Sequence, residues 1–221
     1  MKLGALFESG VPEAARDLDI AGLTADSRKV KPGFLFAALQ GVAVHGRDFV
    51  AQAKASGAVA VLSGGDLNGD PGIAHIVADD SRRAFALAAS AFYPRRPEMI
   101  VAVTGTNGKS STVDFLRQIW TQAGKRAASL GTLGAIAPSG VIDLGHTTPD
   151  PAVVHATLTR LADDGVTHAA MEASSHGLAQ HRIDGVRFAA AAFTNLTQDH
   201  LDYHHDMAAY RDAKLKLWEL V

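Results

Sequence analysis

The sequence predicts an α/β protein built from two mostly parallel units, and three observations carry that prediction. Short apolar runs alternate with amphipathic stretches along the 221 residues. The alternation breaks at "PRRPE", residues 94–98, where prolines and charges must stop a helix. Apolar residues make up 47% of the chain, enough to bury a sizeable core. The break reads as a domain boundary, with one unit over 1–97 and a second over 98–221.

In the first unit "GFLFAAL" (33–39) reads as a strand, "GRDFVAQAKASG" (46–57) as a helix and "AVAVLS" (58–63) as a strand. "AHIVAD" (74–79) is a further strand, and "SRRAFALAASAFY" (81–93) a helix opened by a Ser or Asp cap. In the second unit "MIVAVT" (99–104) is a strand and "KSSTVDFLRQIWTQAG" (109–124) a helix ending at Gly124. "AVVHATLTRLADDG" (152–165) reads as a helix, "VTHAAME" (166–172) as a strand and "VRFAAAAFTN" (186–195) as a buried strand. The last stretch, "MAAYRDAKLKLWELV" (207–221), reads as a helix with no Gly, Asn or Pro stop. A complete domain usually closes such a helix, so the chain is expected to be cut within its second unit.

Composition narrows the function. A formal charge of −2 with 20% charged residues offers no basic footprint for nucleic acid. The absence of cysteine excludes disulfides and thiolate zinc sites, and fits a reducing compartment. The start "MKLGALFESG" lacks the apolar region of a signal peptide, and runs such as "AFALAASAFY" (84–93) are too short for a bilayer. A soluble, cytoplasmic protein without membrane insertion is expected.

"VAVTGTNGKSST" (101–112) is the most informative stretch. The P-loop pattern places a glycine five positions before the glycine of "GK". Counting back from Gly108 gives Val103, and the nearest glycine is Gly105. The setting nevertheless suits phosphate: an apolar strand, a tight turn, then a helix with Val113, Leu116, Ile119 and Trp120 on its apolar side. A helix N-terminus offers unpaired N–H groups and a positive dipole end, and glycine lets backbone approach phosphate oxygens. Lys109 adds a point charge and Ser110 a hydroxyl for Mg²⁺. A bare "GKS" would be explained by a capped helix with an exposed lysine; the strand–turn–helix context favours phosphate.

The stretch "TGTNGKS" resembles the nucleotide loop of the Mur ligases and the related folylpolyglutamate synthetases, which is shorter than the standard P-loop. "DSR" (26–28), "TTPDP" (147–151), "MEASSHGLAQHRIDG" (171–185) and "FTNLTQDHLDYHHDMAAYRDAK" (193–214) resemble the UDP-N-acetylmuramoyl-tripeptide synthetase branch. That resemblance implies a UDP-binding N-terminal domain over 1–97 and the first part of a P-loop-type ATPase sheet over 98–221, with a C-terminal domain absent. It implies an ATP-dependent ligase joining diaminopimelate or lysine to UDP-N-acetylmuramoyl-L-alanyl-D-glutamate through an acyl phosphate. Family members are about twice this length, and the fragment by itself is expected to be inactive.

The resemblance also assigns residues. Gly105, Thr106, Asn107, Gly108, Lys109, Ser110 and Ser111 would cradle the ATP phosphates. Glu172 ends a strand, where ligand sites of open α/β sheets lie; by position alone it caps a turn or holds Mg²⁺ equally well, and the resemblance selects the metal. His200 and His204 stand four apart, but "HLDYH" lacks the H-E-x-x-H pattern of a zinc hydrolase. The resemblance makes His200 a support for Mg²⁺; His204 and His205 stay unassigned, with surface or cap roles as the default. Met207, Tyr210, Lys214, Leu217 and Val221 fall on one helix face. Periodicity alone would make Lys214 a snorkelling lysine; the resemblance makes it a carbamylated lysine that helps place Mg²⁺. Ser27 would meet the uridine end, and Thr147, Thr148, Ser174, Gln180 and Arg182 the muramoyl-dipeptide and its carboxylates. From position alone "TT" reads equally as a turn and Arg182 as a surface ion pair. No specific contact is expected from residues 42–45, where His45 stands in place of a common Asp.

Two other classes remain open. A folylpolyglutamate-type ligase shares the loop and the lysine but should lack the "DSR" domain and "SSHGL". A non-catalytic UDP-sugar-binding module would show no magnesium-dependent ATP binding.

Overall fold

The computed structural model describes residues 1–41, 44–67 and 69–221. It divides into two compact units, Met1–Phe92 and Tyr93–Val221. Among the described residues no helix is long and apolar enough to cross a membrane.

The first unit is a parallel sheet in the order β1 (Gly22–Thr24), β2 (Phe34–Ala37), β3 (Ala58–Ser63), β4 (Ala74–Val77). The sequence reading overlooked β1 because three residues carry no period. Glycine is needed there: a Cβ on Gly22 would overlap the Phe34 ring across the sheet. The expected helix over 46–57 opens as a 3-10 turn, Gly46–Phe49, and becomes α1 only over Val50–Ala55. Val50 and Ala53 bury against Phe36 and Val61. Helix α2 (Ser81–Phe92) has Asp80 at its start, whose carboxylate accepts from the Arg83 amide at 2.9 Å.

The second unit holds a six-stranded sheet in the order β10-β5-β9-β6-β7-β8. Its strands are β5 (Met99–Thr104), β6 (Ala127–Gly131), β7 (Gly134–Ala137), β8 (Gly140–Ile142), β9 (His168–Glu172) and β10 (Ala190–Phe193). The first four in the spatial order run parallel, and β7 and β8 extend the sheet antiparallel. Alternate residues of β5 face opposite layers. Ile100 and Ala102 pack with Val154, Leu158 and Leu161 of α4 (Pro151–Asp163), and Val103 packs with Val113 of α3 (Lys109–Gln122). Full burial of Leu158 or Leu161 contributes roughly 2 kcal/mol each. Short helices α5 (Ser175–Ala179) and α6 (Leu201–His204) precede α7 (Met207–Leu215).

Three expectations change here. The segment 186–195 shrinks to β10, an edge strand with Ala190 and Ala192 exposed rather than a buried strand, because only β5 pairs with it. The last helix does not run to Val221: α7 stops at Leu215 and Lys216–Leu220 tightens into a 3-10 turn. Its apolar face holds at Tyr210, Lys214 and Leu217, while Val221 is 57% exposed. On α3 the expected apolar Ile119 is 59% exposed, so the buried stripe narrows to Val113 with Leu116 and Trp120 partly covered.

Candidate functional site

Register brings the chemistry to one edge of the second sheet. Val103 pairs with Glu172, Thr104 with Phe193 and Leu130 with Met171, so Gly105, Glu172, Gly131 and Thr194 all lie at the carboxyl ends of parallel strands. Gly105 (φ 135°) and Gly108 (φ 85°) make the turn into α3. A Cβ on Gly105 would overlap Thr194 Oγ1.

The loop is held from behind by the segment after β10. Thr106 N donates to Asn195 O at 2.9 Å and Asn107 N to Asn195 Oδ1 at 3.0 Å. Asn195 Nδ2 and Thr194 Oγ1 donate to Asn107 O at 3.1 and 2.7 Å. The Thr106 and Asn107 amides thus belong to the scaffold. The amides that lack intrahelical partners by geometry are those of the helix start, Gly108 to Ser111, and such a set of donors suits an anion.

Two lysines meet on one carbonyl. Lys109 Nζ donates to Gly105 O at 2.9 Å and Thr106 O at 2.8 Å, and Lys214 Nζ donates to Gly105 O at 2.8 Å. Burial pushes the Lys109 ammonium below the usual lysine range, with Glu172 and Asp199 pulling it back. Burial, then repulsion from Lys109, lowers Lys214 to about 8, against the attraction of Asp199. Lys214 is 1% exposed, and its ammonium lies 4.4 Å from the centre of the Tyr210 ring.

Glu172 is 2% exposed. Its Oε1 accepts from Ser110 Oγ at 2.8 Å and Thr132 N at 2.9 Å, and a Cβ on Gly131 would overlap it. Thr132 Oγ1 lies 2.9 Å from Thr147 Oγ1. Next to this pair Thr148 Oγ1 donates to Glu172 O at 3.3 Å and accepts from Ser174 N at 3.1 Å. Arg182 Nη1 donates to Thr148 O at 2.7 Å, while its Nε and Nη2 donate to Gln180 Oε1 at 3.1 and 2.8 Å. Gln180 Nε2 donates to Tyr203 Oη at 3.0 Å. Ser174 caps α5 through Gly177 N at 3.0 Å.

His200 (φ 52°) is exposed beside Asp199, with its ring 4.9 Å from His176 and 6.2 Å from Tyr210. His204 is not a surface residue. It is 5% exposed among the rings of His176, Tyr203 and Tyr210, and its Nε2 has no hydrogen-bond partner among the described residues. Burial, then the neighbouring histidines, hold its pKa below the usual imidazole value. His205 lies on the surface (φ 67°). Ser110 and Glu172 are brought together, whereas His200 and Lys214 lie on the α6–α7 side. Among the described residues no group of three His, Asp or Glu converges to hold a metal. A hydroxyl and a carboxylate are nevertheless the oxygen donors Mg²⁺ takes when phosphate completes its shell.

Profiles of two family domains match the chain: the Mur ligase middle domain over residues 103–221, more than half of the chain, and the Mur ligase family, catalytic domain, over 19–100. The chain belongs to the Mur ligase family. It is 51% identical over 215 residues to a UDP-N-acetylmuramoyl-L-alanyl-D-glutamate--2,6-diaminopimelate ligase of Brucella melitensis, covering 97% of this chain and 44% of that protein. A ligase of the same name from Caulobacter vibrioides is 56% identical over 212 residues, covering 93% and 43%. The chain thus spans less than half the length of these curated relatives. A solved structure of a ligase so named superposes with a TM-score of 0.87 at 31% identity, over 100% of this chain and 45% of that one. MurF ligase from Thermotoga maritima, solved with ADP, shares the fold at 17% identity and a TM-score of 0.59, over 91% and 43%.

In this Mur ligase chain the first unit carries a cleft of about 690 Å³ at the carboxyl ends of β2–β4, lined among others by Gln40, His45, Ser63, Asp79 and Arg82. Arg82 Nη2 donates to Gln40 O. Ser27 stands apart from that lining, on an exposed 3-10 turn with Oγ 3.3 Å from Gln52 Oε1. His45 lines the cleft although residues 42–45 carried no expected contact; Val42 and Ala43 lie outside the described residues. The sequence reading also missed Thr132, Tyr203, Thr194, Asn195 and Tyr210. The last four fell inside the quoted motif "FTNLTQDHLDYHHDMAAYRDAK", but only a fold shows what they touch.

Proposed function

We propose that this chain supplies the phosphate loop and the muramoyl-dipeptide contacts of an ATP-dependent ligase that joins diaminopimelate to UDP-N-acetylmuramoyl-L-alanyl-D-glutamate. The observation that carries this is the gathering of Ser110 and Glu172, the paired lysines on Gly105 O and the Thr148–Arg182–Gln180 network along one sheet edge. The names of the relatives supply the substrate.

In this reading the carboxylate of the dipeptide takes the γ-phosphoryl group of ATP, breaking the bond to the β-phosphate oxygen. The amine then attacks the acyl carbon, phosphate leaves with the bonding pair, and the amine loses a proton. No side-chain nucleophile is needed; the chain positions groups and neutralises charge. Lys109 and the amides of Gly108–Ser111 hold phosphate oxygens, the scaffolded Gly105, Thr106 and Asn107 shape the turn, and Arg182 with Gln180, Ser174, Thr147 and Thr148 orients the dipeptide. Mg²⁺ would neutralise phosphate charge, held by Ser110 and Glu172 with His200 and carbamylated Lys214 in support. The neutral Lys214 amine, accessible because burial lowers its pKa to about 8, would bond to the carbon of CO₂ and release one proton. The first unit would take the uridine end in its cleft, with Ser27 beside it.

The test is a calorimetric titration of the folded chain with UDP-N-acetylmuramoyl-L-alanyl-D-glutamate and with UDP. Both are expected to bind, and Arg182→Ala should weaken the first alone. Failure of a folded chain to bind either ligand would refute the reading of the first unit.

A further inference from the structure

Tyr210 is 1% exposed, and its hydroxyl and ring touch different parts of the phosphate-loop site. The hydroxyl lies 3.2 Å from Thr106 Oγ1. Counting protons gives the direction of that bond. Thr106 has one hydroxyl proton, donated to Thr197 O at 3.1 Å, and Oγ1 accepts from Thr197 N at 3.0 Å. With that proton on Thr197 O, Tyr210 donates to Thr106, the one assignment that satisfies the Thr197 carbonyl and both hydroxyls. The same ring lies under Lys214 Nζ, which donates to Gly105 O. Gly105 and Thr106 are adjacent, so the contacts close a circuit: Gly105 carbonyl, Lys214 ammonium, Tyr210 ring and hydroxyl, Thr106 hydroxyl.

We infer that Tyr210 is a positioning residue that keeps the phosphate loop and the Lys214-bearing helix in register. The ring packs against the end of the Lys214 side chain and the hydroxyl places Thr106, so one rigid side chain fixes the spacing of both. Thr106 is saturated by Thr197 and Tyr210, which makes its hydroxyl part of the scaffold and leaves phosphate contact to the helix start. The consequence for nucleotide binding rests on the proposed phosphate-loop reading; the positioning itself does not. A merely space-filling aromatic would be replaced by phenylalanine without effect.

Tyr210→Phe separates the two cases, since it keeps the ring and removes one oxygen. Hydrogen exchange of the Thr106 and Thr197 amides is expected to quicken about three- to tenfold, while amides in α4 keep their rates. Affinity for MgADP should fall by a similar factor, with UDP affinity unchanged. Thr106→Val removes the same bond from the other side, and the double variant should be no worse than Thr106→Val alone. Loop exchange equal to the parent in Tyr210→Phe, or additive effects in the double variant, would overturn the inference. If the parent chain does not bind MgADP but Tyr210→Phe still loosens the loop, the positioning role stands and the nucleotide reading falls.

Discussion

At the residue scale, Glu172 joins folding and chemistry. Its buried carboxylate accepts from Ser110 Oγ and Thr132 N on one oxygen, and Gly131 leaves room for it. Glu172→Gln can keep both bonds through its amide oxygen, so the fold should survive, but a neutral group no longer attracts a dication. Magnesium-dependent nucleotide binding should weaken about tenfold or more. A variant binding MgADP like the parent would remove Glu172 from the metal site. Gly105→Ala should fail earlier, at folding. Its φ of 135° and the overlap with Thr194 Oγ1 predict a loss of about 2 kcal/mol or more, read from denaturant unfolding. His155 gives a pH-dependent counterpart. It is 1% exposed with Nε2 3.0 Å from Asp184 O, and burial lowers its pKa from 6.5 to about 4. Between those values the unfolded chain holds the extra proton. Stability should therefore be full above pH 6.5 and fall toward pH 4, by on the order of 3 kcal/mol in total. His155→Gln should flatten that slope; an unchanged slope would assign the acid lability to other groups.

At the scale of elements, the clasp between the loop and residues 194–197 predicts a specific sensitivity. Asn195→Ala removes the side-chain partner of Asn107 N and one of the two donors to Asn107 O, leaving Thr194 Oγ1. Each neutral bond contributes about 1 kcal/mol, so MgADP affinity should fall by roughly five- to thirtyfold with little change in UDP binding. Equal affinity would mean that Thr194 alone holds the turn. This clasp also marks the limit of what the sequence makes legible. The strand Met99–Thr104 and helix Lys109–Gln122 are readable because five consecutive apolar residues leading into a glycine turn, then a 3.6-residue period, leave few alternatives. Strands β6 to β8 are not, since "AASLG", "GAIA" and "GVI" are short, rich in small residues and without a period of two. The partners of the loop are invisible for another reason: Thr106 and Thr197 are 91 residues apart, and only the β10–β5 register brings them together. Motif resemblance named Lys214 where periodicity favoured a snorkelling lysine, and Glu172 where position alone left a metal ligand and a turn cap even.

At the scale of the whole molecule, the two units have separate cores: Phe36, Val50 and Val61 in the first, and Ile100, Leu158 and Met171 in the second. Each also carries its own candidate binding region, the cleft of about 690 Å³ in the first and the phosphate loop in the second. Ligand effects should therefore be separable by substitution. A ligand binding only the folded state stabilises by RT ln(1 + [L]/Kd), about 2.7 kcal/mol at a hundredfold excess over Kd, enough to read as a thermal shift. UDP and MgADP should each raise the Tm of the parent chain. Lys109→Ala should abolish the MgADP shift and preserve that of UDP, because its ammonium bonds to the loop carbonyls of Gly105 and Thr106. Arg82→Ala should do the reverse, since it both lines the cleft and braces Gln40 O. Loss of both shifts from either substitution, in a chain that keeps its parent Tm without ligand, would mean that UDP and the nucleotide compete for one site, and the assignment of the uridine end to the first unit would have to be abandoned.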